Sequence, residues 1–262
     1  MPHLRNLFRS YSIFMKDHQI YARLKADKLV GKKKFAVLID PDKLALGAIS
    51  PLVELAEQAQ VDYFFVGGSL VVNTELDEMI SLIKAQSSIP VILFPGSSRQ
   101  LSYRADGLLL LSLISGRNAE LLIGKHVEIA PYLKISPLEI ISTGYILVDG
   151  GVPTSVSYMS NTFPIPADKD SIAVCTAMAG ELLGLKMLYM DAGSGAQRPI
   201  STAMIEAVSA ATDIPLIIGG GIRTAAQAQA NVRAGADVIV VGNLLEQQPQ
   251  LMAAIAKAVH EK

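Results

Sequence analysis

The stretch IPLIIGGGIRT, from Ile214 to Thr224, and the stretch ADVIVVGN, from Ala236 to Asn243, decide the fold. In each, a short β-branched apolar run ends in glycine, and a segment of helical character follows. Glycine lets backbone N–H groups approach a ligand closely, and a helix N-terminus carries partial positive charge. The two runs lie about one strand–helix unit apart, as do the phosphate-binding loops after strands seven and eight of a (β/α)8 barrel. They therefore predict a phosphate site, although three adjacent glycines can also simply form a tight turn.

Eight apolar runs separated by helix-length segments predict eight parallel strands that are buried on both faces. Eight such units in 262 residues favour an α/β fold of the closed (β/α)8 TIM barrel type over an open sheet. The fourth run, LLLLSLIS, is also compatible with a buried helix. The predicted strands are Phe35–Ile39, Asp62–Val66, Pro90–Phe94, Gly107–Leu111, Gly144–Val148, Met187–Met190, Leu216–Ile218 and Val238–Val241.

Residues 1–262 are predicted to form one barrel domain, with residues 1–34 as an N-terminal helical extension that packs on the barrel. Leu7, Phe14 and Leu24 are its candidate packing residues. The extension resembles neither a cleavable signal nor a membrane anchor. No apolar run reaches the roughly 18–20 residues that span a bilayer.

The composition argues against nucleic-acid binding and for a reducing compartment. The formal net charge is −1, which gives no basic footprint. The one cysteine, Cys175, excludes an intrachain disulfide and favours a cytoplasmic location. Because Cys175 lies in the apolar run SIAVCTAMAGELLG, we expect a small core residue rather than a nucleophile.

The ends of the first two strands carry candidate metal ligands. FAVLIDPDK places Asp40 at the end of strand one, and FFVGGSL places Ser69 after strand two. A carboxylate and a hydroxyl are hard oxygen ligands that suit Mg²⁺, which often takes its other ligands from substrate phosphates and water. An Asp-Pro turn with a purely structural role is the alternative for Asp40.

Strand six ends in MLYMDAGSGAQRP, which predicts a polar site at the mouth of the barrel. The period of two places Tyr189 and Asp191 on one face of the strand. A buried carboxylate needs donors, and the hydroxyls of a small polyol supply them. Asp191 is also placed to accept a proton from an attacking alcohol as a general base.

The segment DGGVPTSVSYMSNTFPIPADKD, between strands five and six, is long and rich in turn-forming residues. In a barrel this loop opens onto the catalytic face. Composition alone leaves two interpretations equally open. The segment forms part of a lid, or it is a passive surface loop.

The motifs LIDPDK, FFVGGS, YMDAGSGA, IIGGGIRT and ADVIVVGN occur in this order between Phe35 and His260. Together they resemble the geranylgeranylglyceryl phosphate synthase family, which includes bacterial heptaprenyl relatives. The resemblance implies a barrel enzyme that joins a polyprenyl diphosphate to the C3 hydroxyl of sn-glycerol 1-phosphate. It also implies Mg²⁺ as cofactor, release of diphosphate, and an ether-lipid precursor as product.

The same resemblance implies roles for the matching residues. Asp40 and Ser69 would bind Mg²⁺, and Asp191 matches an acidic position where the family often has glutamate. From the placement of charge, we expect Asp191 and Tyr189 to be the catalytic residues that align the attacking C3 hydroxyl. The residues implied to bind the glycerol moiety are Tyr189, Met190, Asp191, Ala192, Gly193, Ser194 and Gly195. Those implied to bind its phosphate are Gly220, Gly221, Gly242 and Asn243.

Two further expectations concern the prenyl chain and assembly. The heptaprenyl branch has a lysine two residues before its metal aspartate, where this chain has Leu38, so we expect a geranylgeranyl donor. The resemblance points to a homo-oligomer. Helix faces rich in alanine and leucine agree with that, but the same faces can simply cover the barrel.

Two other functions are compatible with a phosphate-binding barrel. One is an isomerase or aldolase of a small sugar phosphate, but Lys43 lies past the turn after strand one, and no clear catalytic lysine occurs at a strand end. The other is a non-catalytic binding protein, which would need neither Asp40 nor Asp191. A last expectation concerns the positions of the two sites at the barrel mouth. We expect the metal site near strands one and two and the phosphate site near strands seven and eight, on the opposite side.

Overall fold

The computed structural model describes residues 19–261 and shows a closed barrel of eight parallel strands, each paired with its sequence neighbours. This confirms the predicted (β/α)8 fold. The strands are β1 Lys34–Ile39, β2 Tyr63–Val66, β3 Val91–Leu93, β4 Gly107–Leu113, β5 Glu139–Leu147, β6 Met187–Asp191, β7 Leu216–Gly219 and β8 Val238–Val241. The helices are α1 Ile20–Leu29, α2 Ile49–Gln58, α3 Leu76–Gln86, α4 Lys125–Lys134, α5 Ser155–Ser160, α6 Asp170–Leu182, α7 Thr202–Ala211, α8 Ala225–Arg233, α9 Asn243–Gln247 and α10 Met252–His260. None of these helices is long and apolar enough to cross a membrane.

The strands are apolar on both faces because they separate two hydrophobic clusters. In β2, Phe65 belongs to the cluster inside the barrel, whereas Phe64 belongs to the cluster between strands and helices. Tyr189 and Met190 of β6 divide in the same way. Successive side chains of a strand point to opposite faces, so an unbroken apolar run fills both layers.

Helix α1 closes the amino-terminal end of the barrel. Ile20 and Leu24 join the inner cluster. The carboxylate of Glu139, at the start of β5, accepts the backbone N–H groups of Ile20 at 2.8 Å and Tyr21 at 2.9 Å. These N–H groups have no partner within the helix, so a carboxylate there both satisfies them and complements the helix dipole. The other candidate packing residues, Leu7 and Phe14, lie outside the described residues.

The fourth unit is a strand and not a helix. β4 pairs with β5 over seven positions, from Gly107 with Glu139 to Leu113 with Tyr145. β5 starts five residues earlier than the prediction, at Glu139 instead of Gly144. The polar residues Glu139 and Thr143 hide this part of the strand in the sequence, but both are buried and hydrogen-bonded.

The prediction for Cys175 is wrong, because the structure places this side chain at the surface of α6. The buried face of α6 consists of Ala173, Ala177 and Gly180, which recur every three to four residues. Cys175 is two positions from Ala173, about 200° around the helix. The surrounding run is apolar on both sides, so hydrophobicity alone did not identify the face that packs on the barrel.

Candidate active site

One cavity of about 870 Å³ opens at the carboxyl ends of the strands. It is lined by most of the residues that the sequence singled out, namely Asp40, Ser69, Tyr189, Asp191, Gly193, Ser194, Gly195, Gly220, Gly221, Gly242 and Asn243. Met190 and Ala192 are not among its lining residues and pack in the outer cluster, as the alternation along β6 requires. The structure therefore brings the predicted metal, glycerol and phosphate residues into a single site.

Asp191 lies at the base of the polar part of the cavity and is 8% exposed. Its Oδ2 accepts a hydrogen bond from the Tyr145 hydroxyl at 2.5 Å, and its Oδ1 accepts the Gly193 N–H at 2.8 Å. Burial raises the pKa of Asp191, and these two hydrogen bonds oppose the rise. Each oxygen has a lone pair left, so the carboxylate can still accept a substrate hydroxyl.

Tyr145 and Tyr189 form an aromatic floor beneath Asp191. Tyr189 stacks on Phe94 with 5.0 Å between ring centroids and meets Tyr145 edge-on at 5.5 Å. Burial, together with the nearby charge of Asp191, raises the pKa of both phenols well above the usual value. Both tyrosines therefore keep their protons at physiological pH, and Tyr145 donates a hydrogen bond to Asp191.

The glycine turn after β7 lies directly against Asp191. Gly220 and Gly221 have φ angles of +79° and +71°, a region that side chains other than glycine rarely adopt. A methyl group at Gly220 would lie 2.5 Å from Asp191 Oδ1, and one at Gly219 would lie 2.7 Å from the Tyr189 hydroxyl. Glycine is thus required here for both backbone conformation and close approach.

Four backbone N–H groups at the predicted phosphate residues have no acceptor within the described part of the chain. Within residues 19–261, the N–H groups of Gly220, Gly221, Gly242 and Asn243 donate to no backbone or side-chain acceptor. They belong to the turns after β7 and β8, which are adjacent in the barrel. Backbone N–H groups that lack an internal acceptor, in neighbouring glycine turns, are suited to binding an anion.

Asp40 and the loop that carries Ser69 meet at the ends of β1 and β2. A methyl group at Gly68 would lie 3.3 Å from the Asp40 carboxylate, so this loop passes directly against it. Gln100 holds the loop in place, because its side chain accepts the Gly68 N–H and donates to the Gly68 carbonyl. Among residues 19–261 no cluster of three or more His, Cys, Asp or Glu side chains is arranged to hold a metal.

The expectation of metal and phosphate sites on opposite sides of the mouth is wrong. In a closed barrel β1 is also the neighbour of β8, and here Val37 pairs with Val241. Lys43 joins the two regions, since its Nζ lies 2.9 Å from Asp40 Oδ2 and 3.1 Å from Asn243 Oδ1. The linear order of the motifs concealed a contact that barrel closure creates.

The apolar part of the cavity lies along β4, the segment that precedes α4, and α4 itself. Leu110 and Leu111 are half-buried, whereas Leu109 and Leu113 are fully buried in the inner cluster. The run LLLLSLIS therefore supplies both barrel core and cavity wall. The apolar wall includes Leu108, Leu109, Leu110, Leu111, Leu113, Leu121, Ile129 and Leu133.

The long segment between β5 and β6 also contributes to this wall. It forms α5, whose Val156 and Met159 line the cavity. Asn118 in the β4–α4 connection donates to the Ser160 carbonyl at 2.9 Å and ties the two loops together. The segment is thus part of the site and not a passive surface loop.

Two residues of the site were not identified from the sequence. Tyr145 could have been found from the period of two, because it pairs with Tyr189 in the β5–β6 register. Lys43 follows Asp40 by three residues in one turn, and the sequence suggested no role for it other than that of an aldolase lysine. Neither motif by itself indicates that these side chains contact Asp191 and Asn243.

Comparison with known proteins gives consistent matches. Residues 28–259 match the model of the PcrB family. A protein of Chitinophaga pinensis named geranylgeranylglyceryl phosphate synthase is 56% identical over 93% of this chain and 96% of its own length. A protein of Spirosoma linguale with the same name is 54% identical over 89% of this chain and 94% of its own length. The crystal structure of (S)-3-O-geranylgeranylglyceryl phosphate synthase from Thermoplasma acidophilum, in complex with sn-glycerol 1-phosphate, superposes with a TM-score of 0.88 at 32% identity, covering 93% of this chain and 99% of that one.

Proposed function

The chain belongs to the PcrB family, and we infer that it is a geranylgeranylglyceryl phosphate synthase, a prenyltransferase that acts on sn-glycerol 1-phosphate. The main observation that supports this function is that three chemical environments line the same cavity. A buried carboxylate, four free N–H groups and a leucine-lined wall surround one space. A phosphorylated polyol and a prenyl chain need these three environments side by side.

Glycerol phosphate is held at both ends in this proposal. Its phosphate accepts the N–H groups of the turns after β7 and β8, at Gly220, Gly221, Gly242 and Asn243. Its hydroxyls donate to Asp191, while the protonated Tyr189 faces the same space. The segment from Met190 to Gly195 supplies the surrounding backbone.

Asp191 is the proposed general base. A hydroxyl that donates to its carboxylate becomes a better nucleophile as the proton moves toward Asp191. The oxygen then bonds to the allylic carbon while the C–O bond to diphosphate breaks and diphosphate leaves with the electron pair. The raised pKa favours this role, because it brings the base closer to the operating pH. Tyr145 holds the carboxylate in one orientation through its 2.5 Å hydrogen bond.

The donor atoms at the ends of β1 and β2 fit Mg²⁺. The Asp40 carboxylate and the adjacent Ser69 loop offer hard oxygen ligands, and no larger acidic cluster exists among the described residues. Mg²⁺ is usually bound by one or two protein oxygens together with substrate phosphates. When bound there, it would neutralise the diphosphate leaving group. Asp40 and Ser69 are therefore the proposed ligands.

The prenyl chain is proposed to lie along the leucines of β4 and the apolar residues of α4 and α5. Burial of each CH₂ group contributes about 0.8 kcal/mol, so a long apolar wall favours a long isoprenoid. We propose geranylgeranyl diphosphate as the donor, from Leu38 in LIDPDK. The names of the similar proteins support this choice.

The first prediction is that sn-glycerol 1-phosphate is prenylated in strong preference to sn-glycerol 3-phosphate. An acceptor fixed both at its phosphate and at Asp191 places the reacting hydroxyl of only one enantiomer at the allylic carbon. Turnover is measured with each radiolabelled isomer and geranylgeranyl diphosphate, with and without EDTA to remove Mg²⁺. Equal rates for the two isomers would contradict the two-point arrangement.

A competition assay extends this test to the donor. Geranylgeranyl and heptaprenyl diphosphates are offered together, and the C20 product is expected to dominate. Faster formation of the C35 product would overturn the choice of donor but not the reaction type.

A homo-oligomer is also proposed, from the exposed apolar surface of α6. Leu182 and Leu183 are 85% and 79% exposed at its carboxyl end, and Met178 is 42% exposed. The prediction is that light scattering gives a multiple of 28.0 kDa, and that Leu182→Lys with Leu183→Lys lowers the mass. Leu29→Lys is the control, since Leu29 is 80% exposed on α1. A wild-type species of only 28.0 kDa would refute the proposal. The cytoplasmic location also stays a prediction.

A further inference from the structure

Lys43 forms a bridge between three loops at the mouth of the barrel. Its Nζ lies 2.9 Å from Asp40 Oδ2 after β1, 3.1 Å from Asn243 Oδ1 after β8, and 3.4 Å from Ser194 Oγ after β6. Asn243 Oδ1 and Ser194 Oγ accept hydrogen bonds from this ammonium, and Asp40 forms an ion pair with it. Asn243 also donates to Ser194 Oγ at 2.7 Å, which closes the polar ring on the phosphate side.

The other cationic side chains that line the cavity are differently engaged. The ammonium of Lys125 lies 3.0 Å from Glu128, on the wall formed by α4. The guanidinium of Arg223 donates to the Ala196 carbonyl at 3.0 Å. Of the lysine and arginine side chains in the described lining, Lys43 is the one in contact with the proposed metal and phosphate residues.

We propose that Lys43 binds the phosphate of the acceptor, and that its release from Asp40 makes Mg²⁺ and sn-glycerol 1-phosphate bind cooperatively. This inference rests on the proposed function of the site. Two anionic substrates must meet here, and a cation between them lowers their mutual repulsion. Lys43 is the side chain placed to supply it.

The cooperativity follows from charge. A divalent cation bound to the Asp40 carboxylate would repel the Lys43 ammonium from the same oxygens. The ion pair between Lys43 and Asp40 would therefore break when the metal binds. Lys43 is 44% exposed, and an ion pair of this exposure contributes little to stability. Its flexible four-carbon chain then leaves the ammonium beside Asn243 and Ser194, where the phosphate is proposed to bind. Each ligand therefore favours the state that binds the other.

Calorimetric titration of sn-glycerol 1-phosphate, with and without Mg²⁺, tests the proposal. Mg²⁺ is expected to tighten binding to the wild type about tenfold, within the usual range of such couplings. Lys43→Met is expected to bind about tenfold more weakly without Mg²⁺, since it loses a charge-assisted hydrogen bond. In this variant Mg²⁺ should change the affinity less than about twofold.

Asp40→Ala is expected to change the affinity for glycerol phosphate in the opposite direction, or to leave it unchanged. Without Mg²⁺ it frees Lys43 from its competing partner, so affinity for glycerol phosphate should equal or exceed that of the wild type. Lys125→Met is the matched control, because Lys125 is 46% exposed and is also paired with a carboxylate three residues away. It should retain the coupling. Thermal denaturation checks that each variant is folded.

The results that would overturn the proposal are specific. Wild-type affinity in Lys43→Met, or a Mg²⁺ effect that persists in it, would show that Lys43 does not couple the two sites. A loss of affinity in Asp40→Ala without metal would show that Asp40 supports the phosphate directly. If the wild type fails to bind glycerol phosphate, the proposed function fails. Inorganic phosphate as the probe then tests Lys43 separately. Weaker binding to Lys43→Met than to the wild type is expected, and equal binding would overturn the proposed role of Lys43.

Discussion

Asp191→Asn is expected to lower turnover by roughly 10²–10⁴-fold, the usual contribution of general acid–base catalysis, while the protein stays at least as stable as the wild type. Asparagine keeps the shape of the side chain and can keep both of its contacts. Its Oδ1 can accept the Gly193 N–H, and its Nδ2 can donate to the Tyr145 hydroxyl, which replaces the two contacts of the carboxylate. The variant loses only the ability to take a proton from the substrate.

The stability effect follows from the direction of the pKa shift. Folding raises the pKa of Asp191, so the folded state binds its proton more tightly than the unfolded state does. The resulting stabilisation is complete below the unfolded pKa of about 3.9 and is lost as pH rises through the folded value. At neutral pH the buried charge therefore costs stability. The advantage of Asp191→Asn in thermal denaturation should be present near pH 7 and shrink toward pH 4.

Asp237→Asn is the matched control for this experiment. Asp237 is also a buried carboxylate, 4% exposed, but it precedes β8, and its oxygens contact the ammonium groups of Lys28 at 2.9 Å and Lys33 at 3.0 Å. Removing its charge leaves two lysines unpaired, so this variant should be less stable and yet keep normal turnover in its folded fraction. Near-normal turnover of Asp191→Asn would assign Asp191 a structural role instead.

The sequence predicted the barrel well because burial on both faces gives each strand a continuous apolar run. Strand β8 was predicted at its observed bounds, and β6 differed only by the inclusion of Asp191. Prediction failed where polar residues are buried, as at Glu139 and Thr143 of β5. Their partners, the N-terminus of α1 and the Ile141 carbonyl, are not visible in a hydrophobic pattern.

The sequence singled out many of the residues that line the cavity, but not Tyr145 or the contacts between these residues. Glycines at strand ends and the pair formed by Tyr189 and Asp191 follow from motif and period. The hydrogen bond of Tyr145 to Asp191 and the bridge formed by Lys43 depend on strand register and on closure of the barrel between β8 and β1. These contacts join residues far apart in the chain, and single motifs carry no information about them.

Gly220→Ala is expected to lower turnover by at least about 100-fold and to destabilise the fold, because two separate requirements are violated. Its φ of +79° costs an alanine about 1–2 kcal/mol, as does the φ of +85° at Gly184. At Gly184 a methyl group meets nothing within 4 Å, so Gly184→Ala measures that backbone cost alone. At Gly220 the methyl group would lie 2.5 Å from Asp191 Oδ1 and 2.6 Å from the Ala192 nitrogen, so the turn or the base must move.

Denaturant unfolding and turnover of the two variants separate these effects. Gly184→Ala should lose stability and keep its activity, since Gly184 follows α6 and is remote from the cavity. Gly220→Ala should lose more stability and nearly all turnover, because a displacement of about 1 Å at a reacting group can cost about 100-fold in rate. Equal losses of stability together with retained turnover in Gly220→Ala would mean that the turn after β7 yields without moving Asp191. The close packing of that turn would then have no part in positioning the base.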